Sequence, residues 1–140
     1  MRKSVKIKAS QNKVWAKISN IVGLPSWVTQ VKKTVFLSKK KRGIGAVRKI
    51  TFDDGNVVVE HVILWENKKA FSYIATSGLP LQTYVATFTI QPIKRNLVNV
   101  TWQSYFITKK VTRKQFSEFQ TFMGIFYFSS LKSLKKILEE

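Results

Sequence analysis

The sequence predicts an α+β fold, β-α-α-β6-α, in which one curved antiparallel sheet of seven strands wraps a single long helix at the end of the chain. Three observations carry this. Short alternating segments broken by Gly, Asn, Asp and Pro run as far as Thr108, and a phenylalanine-rich helical pattern then runs from Thr112 to Leu138. The 140 residues, 44% hydrophobic and 13% aromatic, suffice for one sizeable core, and no repeat or linker marks a second domain, so residues 1–140 read as one unit. A lone apolar helix after a single sheet is buried only if the sheet curls around it, and that geometry leaves a cavity between the two.

The elements follow in order. Ser4 to Ala9 alternates with Val5, Ile7 and Ala9 on one face, a half-buried strand. Ser10 caps a helix over 11–21 that buries Val14, Trp15 and Ile18, and Gly23-Leu24-Pro25 stops it. Pro25 to Gln30 forms a second, shorter helical turn holding Trp27. Strands are expected at about 31–38, 44–53, 56–66, 70–76, 81–92 and 97–108, joined by turns such as Asp53-Asp54-Gly55-Asn56 and Ser77-Gly78-Leu79-Pro80.

The long helix has both ends specified. Thr112 with Gln115 matches a capping box, and Lys132, Lys135 and Lys136 suit the negative end of the helix dipole. Phe116, Phe119, Met123, Phe126, Leu131, Leu134 and Leu138 make its buried stripe. From Phe122 to Phe128 the pattern is apolar almost all round, which predicts cover on several sides and near-complete burial of Phe119, Phe122 and Phe126. That run is far short of the roughly 20 residues a bilayer span requires. Gly124 in its middle is expected to permit close strand approach or to leave room for a ligand.

Composition removes several function classes. Without cysteine there is no disulfide, thiolate nucleophile or Cys-ligated metal, and no metal or cofactor is called for. The chain opens on a strand pattern without the apolar stretch of a signal peptide, so a cytoplasmic address is expected. The single histidine, His61, alternates with Glu60 and is expected on the opposite strand face, and no Gly-x-Ser-x-Gly elbow, Rossmann fingerprint or Walker loop occurs. The charge is unusual: 25 Lys and Arg against 7 Asp and Glu give +18. Such a surface attracts anions whether or not that is its role.

The order of elements, together with Ala9 to Trp15, Gly23 to Trp27, Gly45 to Thr51, Asp54-Gly55, Val59-Glu60, Gln82 to Tyr84 and Val100 to Trp102, resembles the helix-grip fold of the START/SRPBCC superfamily. That superfamily includes birch-pollen-allergen proteins, plant abscisic-acid receptors and aromatic polyketide cyclases. The resemblance covers essentially the whole chain and is nearest to the polyketide-cyclase/dehydrase-like branch. It implies a pocket between the concave sheet face and the long helix, closed by two hairpin loops. By position Asp53 to Asn56 takes the gate place and Ser77 to Pro80 the latch place. Ser-Gly-Leu-Pro is also the gate string of the plant receptors, but here it follows the fifth strand and is read as turn chemistry.

Within that frame Glu60 and Tyr84 are the acid/base candidates. Glu60 shares a strand face with Val58, Val62 and Leu64, which the resemblance turns inward, and Arg48 on the neighbouring strand is a possible counter-charge. The alternative for Glu60 is a wet rim position paired with a lysine. Tyr84 stands on the apolar face of Ala86, Phe88 and Ile90, so its hydroxyl must find a partner or a ligand. Phe71, Tyr73, Phe88, Phe119, Phe122, Met123 and Phe126, with Arg48, are the expected ligand-binding walls.

The function expected is binding of a lipophilic or aromatic small molecule, as a lipid carrier or as an enzyme of polyketide cyclisation, aromatisation or dehydration. The competing class is a basic nucleic-acid or anion binder using Lys39 to Arg42, Lys109, Lys110, Arg113 and Lys114. Those cations are spread over turns without the interleaved aromatics of single-strand binders, so no specific nucleic-acid partner is expected. Monomer and homodimer both remain open, the latter through outward-facing Trp65, His61 and Ile63.

Overall fold

The computed structural model describes residues 1–79 and 81–140; Pro80, the expected exit of the latch turn, lies outside the described residues. Strands β1 (Arg2–Ile7), β2 (Val31–Phe36), β3 (Val47–Phe52), β4 (Val57–Glu66), β5 (Ala70–Ser77), β6 (Leu81–Lys94) and β7 (Leu97–Thr108) form one antiparallel sheet. Their order is β1-β7-β6-β5-β4-β3-β2, a six-strand meander with the first strand returned to its far edge. Helix α1 (Gln11–Ile18) and a 3-10 turn at Leu24–Ser26 link the two edge strands, and α2 (Arg113–Leu138) follows the sheet.

The expected caps are made. Ser10 Oγ accepts from the Lys13 N–H at 3.1 Å, and Thr112 and Gln115 satisfy each other's backbone N–H at 3.1 and 2.9 Å. Several boundaries differ from the sequence reading: β1 covers Arg2–Ile7 rather than Ser4 to Ala9, the 3-10 turn Leu24–Ser26 rather than Pro25 to Gln30, β2 stops at Phe36 rather than residue 38, and β6 runs to Lys94 rather than residue 92. Helix α1 stops at Ile18 rather than residue 21, because Ser19 closes it and the chain turns into Gly23. Strand β3 begins at Val47 rather than residue 44, since Gly43 and Gly45 take φ of 83° and 94° and break the extended backbone before it.

A bulge overturns a further expectation. Val62 pairs with Tyr73 but Leu64 pairs with Ser72, so Ile63 is an extra residue and the in–out alternation inverts beyond it. Leu64, expected inward, is exposed, whereas Trp65, expected outward at a subunit contact, packs edge-on to Trp15 at 5.1 Å and against Phe71 at 5.5 Å.

Helix α2 crosses the concave face on one stripe, burying Met123, Phe126, Tyr127, Leu131, Leu134 and Leu138. Its C-terminal end is tied down by polar contacts: Lys135 Nζ donates to the Lys6 carbonyl at 2.8 Å, and the Lys8 N–H donates to Glu139 Oε2 at 2.7 Å. Lys135 also donates to that carboxylate at 2.7 Å and, with Lys8, holds it below the usual carboxylate range.

Cover on several sides is not what the helix receives. Phe122, Ile125 and Phe128 are 48%, 62% and 56% exposed, and Phe119 is half-buried. The sheet curls round one side of α2 only, and none of the described residues covers the other. Gly124 is likewise not a close-approach glycine: a Cβ there would meet only the side-chain ends of Lys3 and Met1 at 3.8 and 3.9 Å, away from the cavity. Gly124→Ala should therefore stabilise the protein by about 0.5–1 kcal/mol through restored helix propensity. A chemical-denaturation midpoint lower than wild type would contradict this.

Candidate functional site

A cavity of about 360 Å³ lies between the concave face and the N-terminal half of α2. Alternation on five adjacent strands aims side chains into it: Arg48, Ile50 and Phe52 from β3, Val58 and Glu60 from β4, Tyr73 from β5, Tyr84 and Phe88 from β6, and Trp102 from β7. The helix adds Phe119, Phe122, Met123, Phe126 and Tyr127, and the segment around the 3-10 turn adds Leu24 and Val28.

The polar end is a buried ion pair. Arg48 and Glu60 stand directly opposite each other in the β3–β4 ladder and are only 2% and 6% exposed. Glu60 Oε1 receives both Arg48 Nε at 2.9 Å and Arg48 Nη2 at 2.7 Å, while Arg48 Nη1 donates to the Ile21 carbonyl at 2.9 Å. The guanidinium also lies 4.8 Å from the Tyr73 ring centroid, a cation–π contact. Glu60 Oε2 takes no hydrogen bond among the described residues. Burial pushes the Glu60 carboxyl above its ordinary 4.5, with Arg48 pulling the other way.

Three phenols surround this pair. Trp102 Nε1 donates to Tyr73 Oη at 3.1 Å, and the hydroxyls of Tyr84 and Tyr127 bond to each other. Burial, first of all, raises all three phenols above their ordinary value. They stay protonated at any physiological pH, so they offer O–H donors rather than bases. Tyr127 in turn stacks on Trp102 at 3.8 Å, and Trp102 on Phe88 at 4.6 Å, which fixes the rings that carry these groups.

The mouth is framed by the two hairpins in the gate and latch places. Asn56 Nδ2 donates to the Gly78 carbonyl at 3.1 Å, tying them together, and the Asp53 N–H donates to the Gln30 carbonyl at 2.9 Å. Gly78 is required there: its φ is 94°, and a Cβ would fall 1.9 Å from the Val57 carbonyl oxygen.

Of the residues singled out from sequence, Glu60, Tyr84, Arg48, Tyr73, Phe88, Phe119, Phe122, Met123 and Phe126 all line this cavity. Phe71 does not. It occupies the inward face, but α1 covers that end of the sheet, and the Phe71 ring is sealed between Trp15 and Trp65. Glu60 takes the buried ion pair rather than a lysine at the rim. Tyr127 and Trp102 were missed as wall residues. Tyr127 falls four residues from both Met123 and Leu131, so the helical period already put it on the stripe, and Trp102 alternates with Val98 and Val100 on the inward face of β7.

A curved antiparallel sheet gripping a C-terminal helix around an apolar cavity defines the helix-grip class of START/SRPBCC proteins. More narrowly, the chain belongs to the polyketide cyclase/dehydrase and lipid transport family, whose model matches residues 1–139. The fold is similar to the aromatase/cyclase Zhui from Streptomyces sp. R1128, with a TM-score of 0.85, 13% identity and coverage of 99% of this chain and 92% of that one. It is similar also to an uncharacterized protein from Bacillus thuringiensis, with a TM-score of 0.84, 22% identity and coverage of 100% and 98%. A START superfamily protein from Mycobacterium smegmatis gives a TM-score of 0.78 at 15% identity, with coverage of 99% and 96%. No curated protein matches the chain in sequence. No helix among the described residues is long and apolar enough to cross a membrane.

Proposed function

We propose that the chain acts as one ligand-binding domain that takes up a flat lipophilic or aromatic small molecule carrying one or two polar groups. The observation that carries this reading is a largely apolar cavity with a buried polar cluster. Its walls are aromatic and aliphatic, the Arg48–Glu60 pair and the hydroxyls of Tyr73, Tyr84 and Tyr127 stand together inside it, and the remaining polar lining residues, Gln30, Asp53, Asp54 and Asn56, sit at its mouth. Apolar walls supply affinity, and a few polar groups fix orientation. The family's lipid-transport and cyclase members support the ligand class.

A second reading makes the same site catalytic. Glu60, with a carboxylate oxygen that takes no hydrogen bond among the described residues and an elevated pKa, would act as base, and the protonated Tyr84 as hydrogen-bond donor to a developing enolate in a cyclisation or dehydration. The basic clusters at Lys39 to Arg42 and at Lys109-Lys110 are exposed and lie outside the cavity lining. Weak nucleic-acid binding that vanishes near physiological salt is expected of them.

Native mass spectrometry of the purified protein should reveal a co-purified apolar ligand, and a ligand at about 100-fold its Kd should add about 2.7 kcal/mol of stability. Glu60→Gln and Tyr84→Phe then separate the two readings, since both nearly preserve shape while removing proton chemistry. A catalyst keeps binding and loses turnover by about 100-fold or more; a carrier changes only in affinity. Absence of any stabilisation across a panel of flat apolar compounds would refute both.

A further inference from the structure

We infer that the exposed ridge of α2 docks on an anionic lipid surface, and that the ligand enters the cavity from that surface beside Phe122. Three large apolar side chains, Phe122, Ile125 and Phe128, stand on one exposed face of the helix at i, i+3 and i+6. They form a contiguous apolar strip that folding leaves uncovered, which marks an interaction site rather than scattered surface hydrophobes. Met1 packs beside them, and the Lys3 stem crosses the helix at Gly124.

The surroundings of the strip identify its occupant. Lys132 lies over the Phe128 ring at 5.2 Å and Lys136 continues the same face one turn on, while Glu118 is the one acid on that face. An apolar strip framed by lysines on a helix lying flat is the pattern that seats side chains among acyl chains while ammonium groups meet lipid phosphates. A second copy of this chain is the poorer fit: its matching face would bring the same lysines together, on a molecule whose net charge is +18.

Phe122 joins the strip to the cavity. It is half-exposed and also lines the cavity wall, so it stands at the opening, with Phe119 one turn away. With the ridge on a bilayer, that opening faces the acyl region, and an apolar ligand passes between bilayer and cavity without crossing water. The route of entry rests on the reading proposed above; the docking does not.

Vesicle co-sedimentation separates the two. Wild-type protein should sediment with vesicles of mixed phosphatidylcholine and phosphatidylglycerol and far less with phosphatidylcholine alone, and binding should fall by about tenfold or more in high salt. Ile125→Ser combined with Phe128→Ser should weaken vesicle binding by about tenfold or more while the melting temperature and solution binding of cavity ligands stay at wild-type values. Equal vesicle binding by wild type and double variant overturns the docking. So does a lipid-free dimer in sedimentation velocity that the double variant converts to monomer, because the strip is then a subunit interface. Loss of solution ligand binding by wild type, with vesicle binding intact, would instead overturn the small-molecule reading and leave the docking standing.

Discussion

Glu60→Leu should destabilise the protein by about 3–5 kcal/mol, and Arg48→Met should cost clearly less. The asymmetry follows from what each partner can do when left alone. Arg48 is 2% exposed, and a guanidinium cannot lose its proton in a protein, so removing Glu60 leaves a buried cation with only the Ile21 carbonyl and the Tyr73 ring for company. Glu60 has an escape. Without Arg48 both influences that lower its pKa vanish, burial alone remains, and the carboxyl takes up a proton.

The sign of the pH dependence is then fixed. A folded-state pKa above the ordinary 4.5 gives stability that is full below that value and is lost as pH rises through the folded pKa. Arg48→Met should accordingly melt higher at acidic than at neutral pH relative to Glu60→Leu/Arg48→Met, which has nothing to titrate there. The double variant should also recover much of the Glu60→Leu loss, since similar-volume apolar groups replace a buried pair at little net cost. Melting curves of the four proteins across pH provide the check. An Arg48→Met protein that is the less stable single variant, or whose stability rises with pH relative to the double variant, would contradict the argument.

That ion pair also shows where sequence reasoning reaches and where it stops. Strand alternation gave the residues that share a face with Arg48 and with Glu60, the resemblance turned the Glu60 face inward, and the hairpin chemistry of Asp53 to Asn56 joined the two strands. The ladder that sets them directly opposite is a register, which depends on how many residues the turn consumes. The bulge at Ile63 was illegible for the same reason: nothing in Val62-Ile63-Leu64 announces an extra residue, and its effect appears only when Trp65 finds Trp15 and Phe71 across the fold.

Periodicity fared differently on α2. The stripe through Met123, Phe126, Leu131, Leu134 and Leu138 was legible because one face meets the sheet, and a consistent reading of the period also includes Tyr127. The apolar residues on the opposite face were read as buried because hydrophobicity alone does not distinguish a face awaiting a partner from one already covered. Phe71 shows the converse. Its inward face was legible, but the cover supplied by α1 was not, so a sealed core ring was assigned to the cavity wall.

Phe126→Ala and Phe122→Ala, one helical turn apart, should therefore differ sharply. Phe126 is buried and meets the rings of Phe52 at 6.0 Å, Trp102 at 5.6 Å and Tyr127 at 6.2 Å in edge-to-face contacts. Deleting it removes apolar burial and leaves space that these neighbours cannot fill, at a cost of about 3–5 kcal/mol. Phe122 has a single ring contact, with Phe126 at 6.2 Å, and nearly half its surface in solvent. Its truncation should cost less than about 1 kcal/mol in solution. Because Phe126 lines the cavity, its loss enlarges the binding space, so a bulkier apolar ligand should stabilise Phe126→Ala more than wild type and recover part of the deficit. Equilibrium denaturation with and without ligand reads both effects. Equal destabilisation by the two substitutions would mean that Phe122 is covered in solution, and a Phe126→Ala protein as stable as wild type would mean that the sheet does not grip the helix at this turn.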